Sequence, residues 1–239
     1  MRYLIRFSYD GTLFHGFQRQ KNVKNVQGLL EQTLSGYFGQ DILIKGSGRT
    51  DAGVHAKCQC AHFDTSKKVT WKDIKCINKI LNGEIVINNL KLVDNNFHAR
   101  HDVKKKTYVY KINVGKYKSN YEGYYYQIKY DLDIKKMREA SKVFVGVHDY
   151  RNFVSGYRDD YESVIYNIKI SKFGNILTFK FVGAGFYRYM VRHLVGALVD
   201  VGKGKVDLNT IYGMIDNKEF TKKLCVVPAC GLYLTDIKY

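Results

Sequence analysis

The stretch Gly46 to Ala56, GSGRTDAGVHA, gathers an arginine, a threonine, one carboxylate and a histidine into a glycine-punctuated run. Strand-like runs flank it on both sides, Ile42 to Lys45 and Lys57 to Phe63. A polar loop between two strands is where a fold commonly presents chemistry to a ligand. Asp51 is the only acidic residue in the loop, so chemistry performed there runs through that carboxylate. Held near Arg49 in a basic chain, an ionised Asp51 stays charged at neutral pH and can act as a nucleophile or a proton acceptor. The plainer alternative is a T-D-A-G turn in which the Asp side chain bonds its own backbone. Composition alone favours the turn.

The ligand class follows from charge. The 239 residues carry 39 Lys and Arg against 22 Asp and Glu, a formal net charge of +17. A field of that sign fits a polyanion, nucleic acid first and an anionic membrane surface second. Twenty Tyr and thirteen Phe are interleaved with the cations, as in KKKTYVYK and GFYRYMVRH. Aromatic rings stack on unpaired bases while Lys and Arg hold phosphates. A merely lysine-rich surface is the alternative. No segment reaches the ~18 uninterrupted apolar residues of a membrane span, and the charged N-terminus MRYLIRFSYD lacks the apolar run of a signal peptide. Five cysteines without a C-x-x-C pair argue against a disulfide framework, so the cytoplasm is the expected compartment.

Several motifs that suggest other chemistry fail. Gly183-x-Gly185 precedes a predicted helix, but Arg188 stands where a dinucleotide fingerprint needs its third glycine, so no nucleotide cofactor is expected. Gly202-Lys203-Gly204-Lys205 lacks the spacing of a P-loop. Cys58, Cys60 and His62 share one strand face and can in principle hold zinc; small alternating residues on a half-buried strand are more often packing, and no metal is expected.

The elements that must position these residues alternate along the chain. Tyr3, Ile5, Phe7 and Tyr9 give a period-2 strand. Val26, Leu29, Leu30, Leu34, Tyr37 and Phe38 recur at helical spacing, with Asn25 as N-cap and Gly36 or Gly39 as stop. Thr70-x-x-Asp73 caps a second helix buried through Ile74, Ile77 and Leu81. Strands are predicted at Glu84 to Val93 and Thr107 to Val114. A helix through Met137 and Phe144 ends at Gly146, and strands Tyr166 to Lys172 and Ile176 to Val182 straddle Phe173-Gly174-Asn175. A longer helix runs from about Tyr187 to Val201, another begins near Asp207, and Leu232 to Tyr239 closes the chain as a strand. The expected fold is α+β: two pseudo-symmetric lobes, 1–103 and 104–239, sharing a continuous and largely antiparallel central sheet flanked by helices, with no flexible linker.

GRTDAGVHA (Gly48 to Ala56) resembles the catalytic signature of the tRNA pseudouridine synthase A family. The likeness runs the length of the chain: YDGTLFHGFQRQ (Tyr9 to Gln20), NVQGLLE (Asn25 to Glu31), FHAR (Phe97 to Arg100), KKKTYVY (Lys104 to Tyr110), GAGFYRYMVRHLVG (Gly183 to Gly196) and PACGLYL (Pro228 to Leu234) follow in order. The resemblance implies the pseudouridine synthase fold and the cofactor-free isomerisation of uridine to pseudouridine in RNA. It implies that Asp51 is the catalytic aspartate, that Tyr108 stacks on the flipped uracil, and that Arg192 pairs with the aspartate. Arg192 lies one predicted helical turn after Arg188, on the same face. The same resemblance makes Arg49 the side chain that fills the space of the extruded base, and Phe97, His98, Arg100 and His101 the RNA-contacting stretch. It also implies a homodimer acting at positions 38 to 40 of the tRNA anticodon stem-loop.

The chain departs from the family pattern at Ser163-Val164, at Leu81-Asn82, at His101, and in the loop Ser155 to Glu162, whose Arg158 is a candidate RNA contact. Two other readings therefore stay open: the same chemistry on ribosomal RNA or another tRNA site, and a non-catalytic RNA-binding protein on this scaffold.

Overall fold

The computed structural model describes residues 1–216 and 225–239. Its strands and helices divide into two compact units, Met1–Lys104 with Tyr233–Tyr239, and Lys105–Leu232.

The first unit opens with β1 (Arg2–Tyr9), followed by α1 (Val26–Phe38), β2 (Ile44–Gly46), β3 (His55–Asp64), α2 (Trp71–Ile80) and β4 (Ile85–Val93). β1 lies between β3 and β4 and pairs antiparallel with both, while β2 pairs antiparallel with β3. The alternation read from the sequence is realised: Tyr3, Ile5, Phe7 and Tyr9 are all buried. α1 starts where the Asn25 side chain accepts from the Gly28 amide, and it stops at Gly39, whose φ of 65° is left-handed. α2 carries the full capping box of Thr70 and Asp73 and buries Ile74 and Ile77. The chain has Leu81-Asn82 where the family it resembles commonly has Leu-Pro, and this departure has a geometric reason. Asn82 takes φ 47° just after α2, a conformation closed to proline, whose ring holds φ near −65°.

The second unit contains β5 (Lys105–Asn113), β6 (Tyr126–Gln127), α3 (Ile134–Val143), β7 (Gly146–Asp149), β8 (Glu162–Phe173), β9 (Ile176–Gly183), α4 (Met190–Gly202) and α5 (Leu208–Asp216). β5 pairs antiparallel with β9, β9 with β8, and β8 with β7; β6 adds to β5 in parallel. α4 buries Met190, Val191, Leu194, Val195, Ala197 and Leu198. α3 docks at its end, with the Asp133 amide donating to the Gly202 carbonyl at 2.9 Å.

The last strand, β10 (Leu232–Lys238), corrects the expected lobe boundary. It was expected with the C-terminal lobe, but Tyr233 and Leu234 pair in parallel with His55 and Ala56 of β3, and this ties residues 233–239 to the first unit. Two further expectations are corrected. α4 begins at Met190 rather than Tyr187, because Tyr189 adopts a left-handed φ of 62° that no helix accommodates. Gly146 opens the short strand β7 instead of ending a helix; four residues carry too little periodicity to be seen in the sequence. The class is α+β, with mixed and largely antiparallel strand pairing flanked by helices. Among the described residues no helix is long and apolar enough to cross a membrane.

Candidate active site

The loop between β2 and β3 is tied down by hydrogen bonds at Ser47, Gly48, Thr50, Asp51 and Val54. The Ser47 amide donates to the Cys60 carbonyl at 2.8 Å, and the Ser47 hydroxyl to Gln59 Oε1 at 2.6 Å. Gln59 returns a bond from Nε2 to the Gly48 carbonyl at 3.3 Å. The Thr50 carbonyl accepts from the Phe17 amide at 3.0 Å, and its hydroxyl meets the buried Tyr9 hydroxyl at 2.8 Å. Burial pushes the Tyr9 phenol up to about 12, so it stays a neutral hydrogen-bonding group. The Val54 amide closes a turn onto the Asp51 carbonyl at 3.1 Å. Asp51 thus heads a turn through its backbone, and the carboxylate, half-buried, sits on a rigid support. Arg49 is exposed two residues earlier.

The support comes from residues 9–17, a motif that sequence reasoning quoted but gave no task. The Gly11 amide donates to His55 Nδ1 at 3.1 Å, and the His55 ring lies flat on Tyr233, 4.5 Å between centroids. A Cβ on Gly11 would stand 2.3 Å from the Val54 carbonyl oxygen. Gly16, at φ +91°, brings its backbone to Thr50 and Ala52. Only glycine allows both approaches. Gly11→Ala is therefore expected to lower stability by about 1–3 kcal/mol, as overpacking does, and to lower turnover with it. Thermal melts and initial rates check this, and a parent-like melting temperature contradicts it.

The Phe97–His101 stretch is a pinned turn in the same unit. Ala99 is held at both ends of its peptide: its amide donates to His62 Nδ1 at 3.0 Å, and its carbonyl accepts from the Tyr239 hydroxyl at 2.9 Å. Arg2 Nη1 donates to the Phe97 carbonyl at 2.9 Å, and the His98 amide donates to Asp102 at 2.8 Å. His98 Nδ1 accepts from the Arg100 amide at 3.1 Å, and the His98 and His101 rings lie 4.2 Å apart. The turn leaves Arg100 and His101 exposed, while Phe97 packs edge-on to Tyr239.

His62 must be neutral to accept that bond. Burial first, then the positive charge of Arg2 and the neighbouring His98, pulls its pKa down to about 4. The unfolded chain, with an ordinary value near 6.5, takes up the proton earlier. Stability is therefore lost as pH falls from about 6.5 to about 4, and the loss is complete below that. His62→Gln keeps an acceptor but does not titrate, so its melting temperature is expected to fall less than the parent's across this window. Equal falls contradict the assignment. With Nδ1 committed to Ala99 and the Cys58 thiol 3.5 Å from Arg6, the Cys58, Cys60 and His62 face is occupied by packing and charge. Among the described residues, no group of three or more His, Cys, Asp or Glu is arranged to hold a metal ion.

In the second unit, Tyr108 lies on β5 opposite Phe181, 8% exposed, with its ring edge-on to Phe186 at 5.3 Å. Arg192 stands in the first turn of α4. Its Nε donates to the Val227 carbonyl at 2.7 Å, which fixes the plane of the guanidinium, and the group lies 4.6 Å over the Tyr189 ring. Arg188 precedes the helix, so the expected helical-face relation to Arg192 is replaced by a shared ring: Arg188 sits 5.0 Å over the same Tyr189. The left-handed Tyr189 is the signal the sequence did not carry.

The profile of the tRNA pseudouridine synthase family matches residues 5–113 and 140–239. The chain belongs to the tRNA pseudouridine synthase family. Membership carries the family's reaction class, an RNA isomerase forming pseudouridine. The chain is 37% identical over its full length to tRNA pseudouridine synthase A of Lactobacillus helveticus, covering 94% of that protein. It is equally identical to the same enzyme of Mycoplasma genitalium, over all of this chain and 98% of the relative. A solved Cbf5–Nop10–Gar1 complex is similar over 72% of this chain and 40% of that chain, at 13% identity and a TM-score of 0.36.

The departures from the family pattern fall on ordered structure. Ser163 ties the start of β8 to the GAGFY segment by donating to the Gly185 carbonyl at 3.0 Å. In the loop 155–162 the Tyr161 hydroxyl is the hub, accepting from the Arg158 amide at 2.9 Å and donating to the Gly156 carbonyl at 3.3 Å. The exposed Arg158 guanidinium lies 4.3 Å over Tyr187, and Tyr157 is 90% exposed at the tip. Ser155 and His193 meet at 3.2 Å, a pair reminiscent of nucleophilic hydrolases. The buried His193 Nδ1 has no hydrogen-bond partner among the described residues, so nothing there orients the ring as a triad would.

Proposed function

We propose that the chain converts uridine to pseudouridine at positions 38 to 40 of the tRNA anticodon stem-loop, with Asp51 as the catalytic carboxylate. The observation that carries this reading is the bracing of the Asp51 loop by residues 9–17. Two of the resembling motifs, far apart in sequence, serve one geometric purpose. A turn whose Asp only satisfied its own backbone has no need of such support.

In this reading Asp51 starts the reaction, either by attack on C1′ or by removing the 2′ proton toward a glycal. The N-glycosidic bond breaks, the uracil rotates, and a bond to C5 replaces it. The product is an isomer of uridine, the C5 proton leaving and N1 taking up a proton, so the reaction is written without a co-substrate or cofactor. Tyr108 is the aromatic platform for the uracil and assists loss of the C5 proton. Arg192 takes the role that the family resemblance implies for it, the arginine that pairs with the aspartate. Arg49, exposed beside Asp51, fills the gap left by the flipped base, whose extrusion costs a few kcal/mol. Phe97, His98, Arg100, His101 and Arg158 contact the RNA, supported by the exposure of Arg100, His101 and Arg158 on pinned turns. The net charge of +17 supports the polyanionic partner. The family resemblance further supports a homodimer and a cytoplasmic enzyme.

The test maps pseudouridine in total tRNA and ribosomal RNA from cells with and without the protein, complemented by the parent or by Asp51→Ala. Loss at tRNA positions 38 to 40, restored by the parent alone, is the expected result. Loss confined to ribosomal RNA overturns the substrate, and no loss in either pool overturns the activity.

A further inference from the structure

The end of the first stretch matched by the family profile and the unmatched interval after it, 114–139, hold a segment whose chemistry the Asp51, Tyr108 and Arg192 roles do not use. Residues 111–130, KINVGKYKSNYEGYYYQIKY, hold six tyrosines and four lysines against one carboxylate, Glu122. The structure turns this composition into a surface. Tyr121 and Tyr125 stack at 4.3 Å with 27° between their planes. A lysine sits over each ring: Lys118 at 5.1 Å from Tyr121 and Lys111 at 5.2 Å from Tyr125. Tyr117 is 57% exposed next to them, and its hydroxyl donates to Glu122 at 2.6 Å, which draws the one acid of the segment into a local pair. Across from them Lys203 lies 4.0 Å over the exposed Tyr130.

The surface is built rather than loose. Buried Asn113 donates to the Lys116 carbonyl at 2.9 Å and accepts from the Gly115 amide at 3.1 Å. Gln127 brackets Lys118, accepting from its amide and donating to its carbonyl, both at 2.9 Å. The Val114 amide donates to the Asn175 carbonyl, and a Cβ on Gly115 would stand 2.5 Å from the Asn175 side chain. The loop is therefore seated against the β8–β9 turn, where Phe173 is 91% exposed. A hollow of about 220 Å³ between Tyr130, Asp131, Lys172 and Asn175 lies beside it. That is below the ~300–1,000 Å³ of small-molecule sites. The chemistry is that of a contact surface.

We propose that residues 111–130 form an accessory RNA-binding surface that grips unpaired nucleotides of the tRNA away from the target uridine. Alternating rings and cations match a single strand, whose bases offer π faces and whose phosphates recur beside them. A duplex buries those faces, so the exposed rings of Tyr117 and Tyr124, set among lysines beside the stacked pair, suit unpaired nucleotides better than a helix. The surface is distinct from the uracil platform, because Tyr108 stands three residues before Lys111 on β5, about 10 Å along the strand and on its opposite face. The proposal rests on the tRNA reading of the substrate, but its readout is binding and needs no turnover.

The experiment titrates the full chain with unmodified tRNA across 50–300 mM salt and measures turnover at saturating tRNA. Lys116→Gln with Lys118→Gln is expected to lower the slope of log affinity against log salt by about 1.5, two phosphates at ~0.7–0.9 each. Tyr117→Ser is expected to weaken binding about tenfold with the slope unchanged, the loss of one stacked base. Turnover at saturation is expected to stay at the parent value in both. The same losses are expected in an Asp51→Ala background, so a failure of the catalytic assignment leaves this measurement intact. Unchanged tRNA affinity and slope overturn the proposal. Unchanged tRNA binding with lost binding of polyglutamate also overturns it, and assigns the surface to an acidic peptide.

Discussion

Asp51→Ala is expected to lower turnover on tRNA by on the order of 10⁴–10⁶-fold, the range for loss of a nucleophile or an essential proton acceptor. Binding of tRNA is expected to stay within about twofold of the parent, because the phosphate contacts of a basic protein supply most of the affinity. The backbone argument makes the variant clean. The loop is held through Ser47, Gly48, Thr50, Val54 and His55, and the turn bond from the Val54 amide falls on the Asp51 carbonyl, which alanine retains. A collapse of the fold is not expected, and a parent-like melting temperature is the control. Asp51→Asn keeps the shape as well and removes only the charge. If either variant turns over at a rate near the parent's, the carboxylate is not the reacting group.

Tyr108→Phe is expected to lower turnover by about 10²–10⁴-fold, the contribution of a positioned proton-transfer group, with KM for tRNA close to the parent's. The ring is what packs: it lies 8% exposed on β5 and meets Phe186 edge-on at 5.3 Å. Phenylalanine preserves that packing and the platform for the uracil, so the hydroxyl alone is tested. Tyr108→Ala is a poorer probe, since truncating a buried aromatic costs about 3–5 kcal/mol and confounds rate with stability. Steady-state kinetics with melting curves separate the two. A phenylalanine variant as fast as the parent removes the hydroxyl from the chemistry and leaves only a packing role.

Much of this architecture is legible in the sequence because its signals are local. Asn25 and Gly39 bound α1, and Thr70 with Asp73 starts α2, because caps satisfy orphan backbone groups within one turn. The period-2 face of β1 is equally local. What escaped is set by distant partners or by unusual backbone. β10 joins the first unit through parallel pairing with β3, a contact across more than 170 residues that no local pattern announces. Tyr189 adopts φ 62° and shortens α4, although its apolar neighbours read as continuous helix.

The site divides in the same way. Asp51 stood out as the lone carboxylate of its loop, yet composition favoured a turn, and the turn is present: Val54 closes onto the Asp51 carbonyl. The two readings are not exclusive, because the turn is made by the Asp51 backbone and the catalytic reading concerns its carboxylate. The tasks of Tyr9, Gly11, Gly16 and His55 were invisible, since they consist of contacts between segments 34 or more residues apart. The tyrosine–lysine surface at 111–130 was visible as composition, but its stacking geometry was not.

The most direct test of the central claim incubates the purified chain with a tRNA transcript containing only unmodified uridine and maps pseudouridine at each position. The account predicts product at positions 38 to 40 with the parent and none with Asp51→Ala at equal bound tRNA. Product formed equally by both proteins, or by neither, contradicts it.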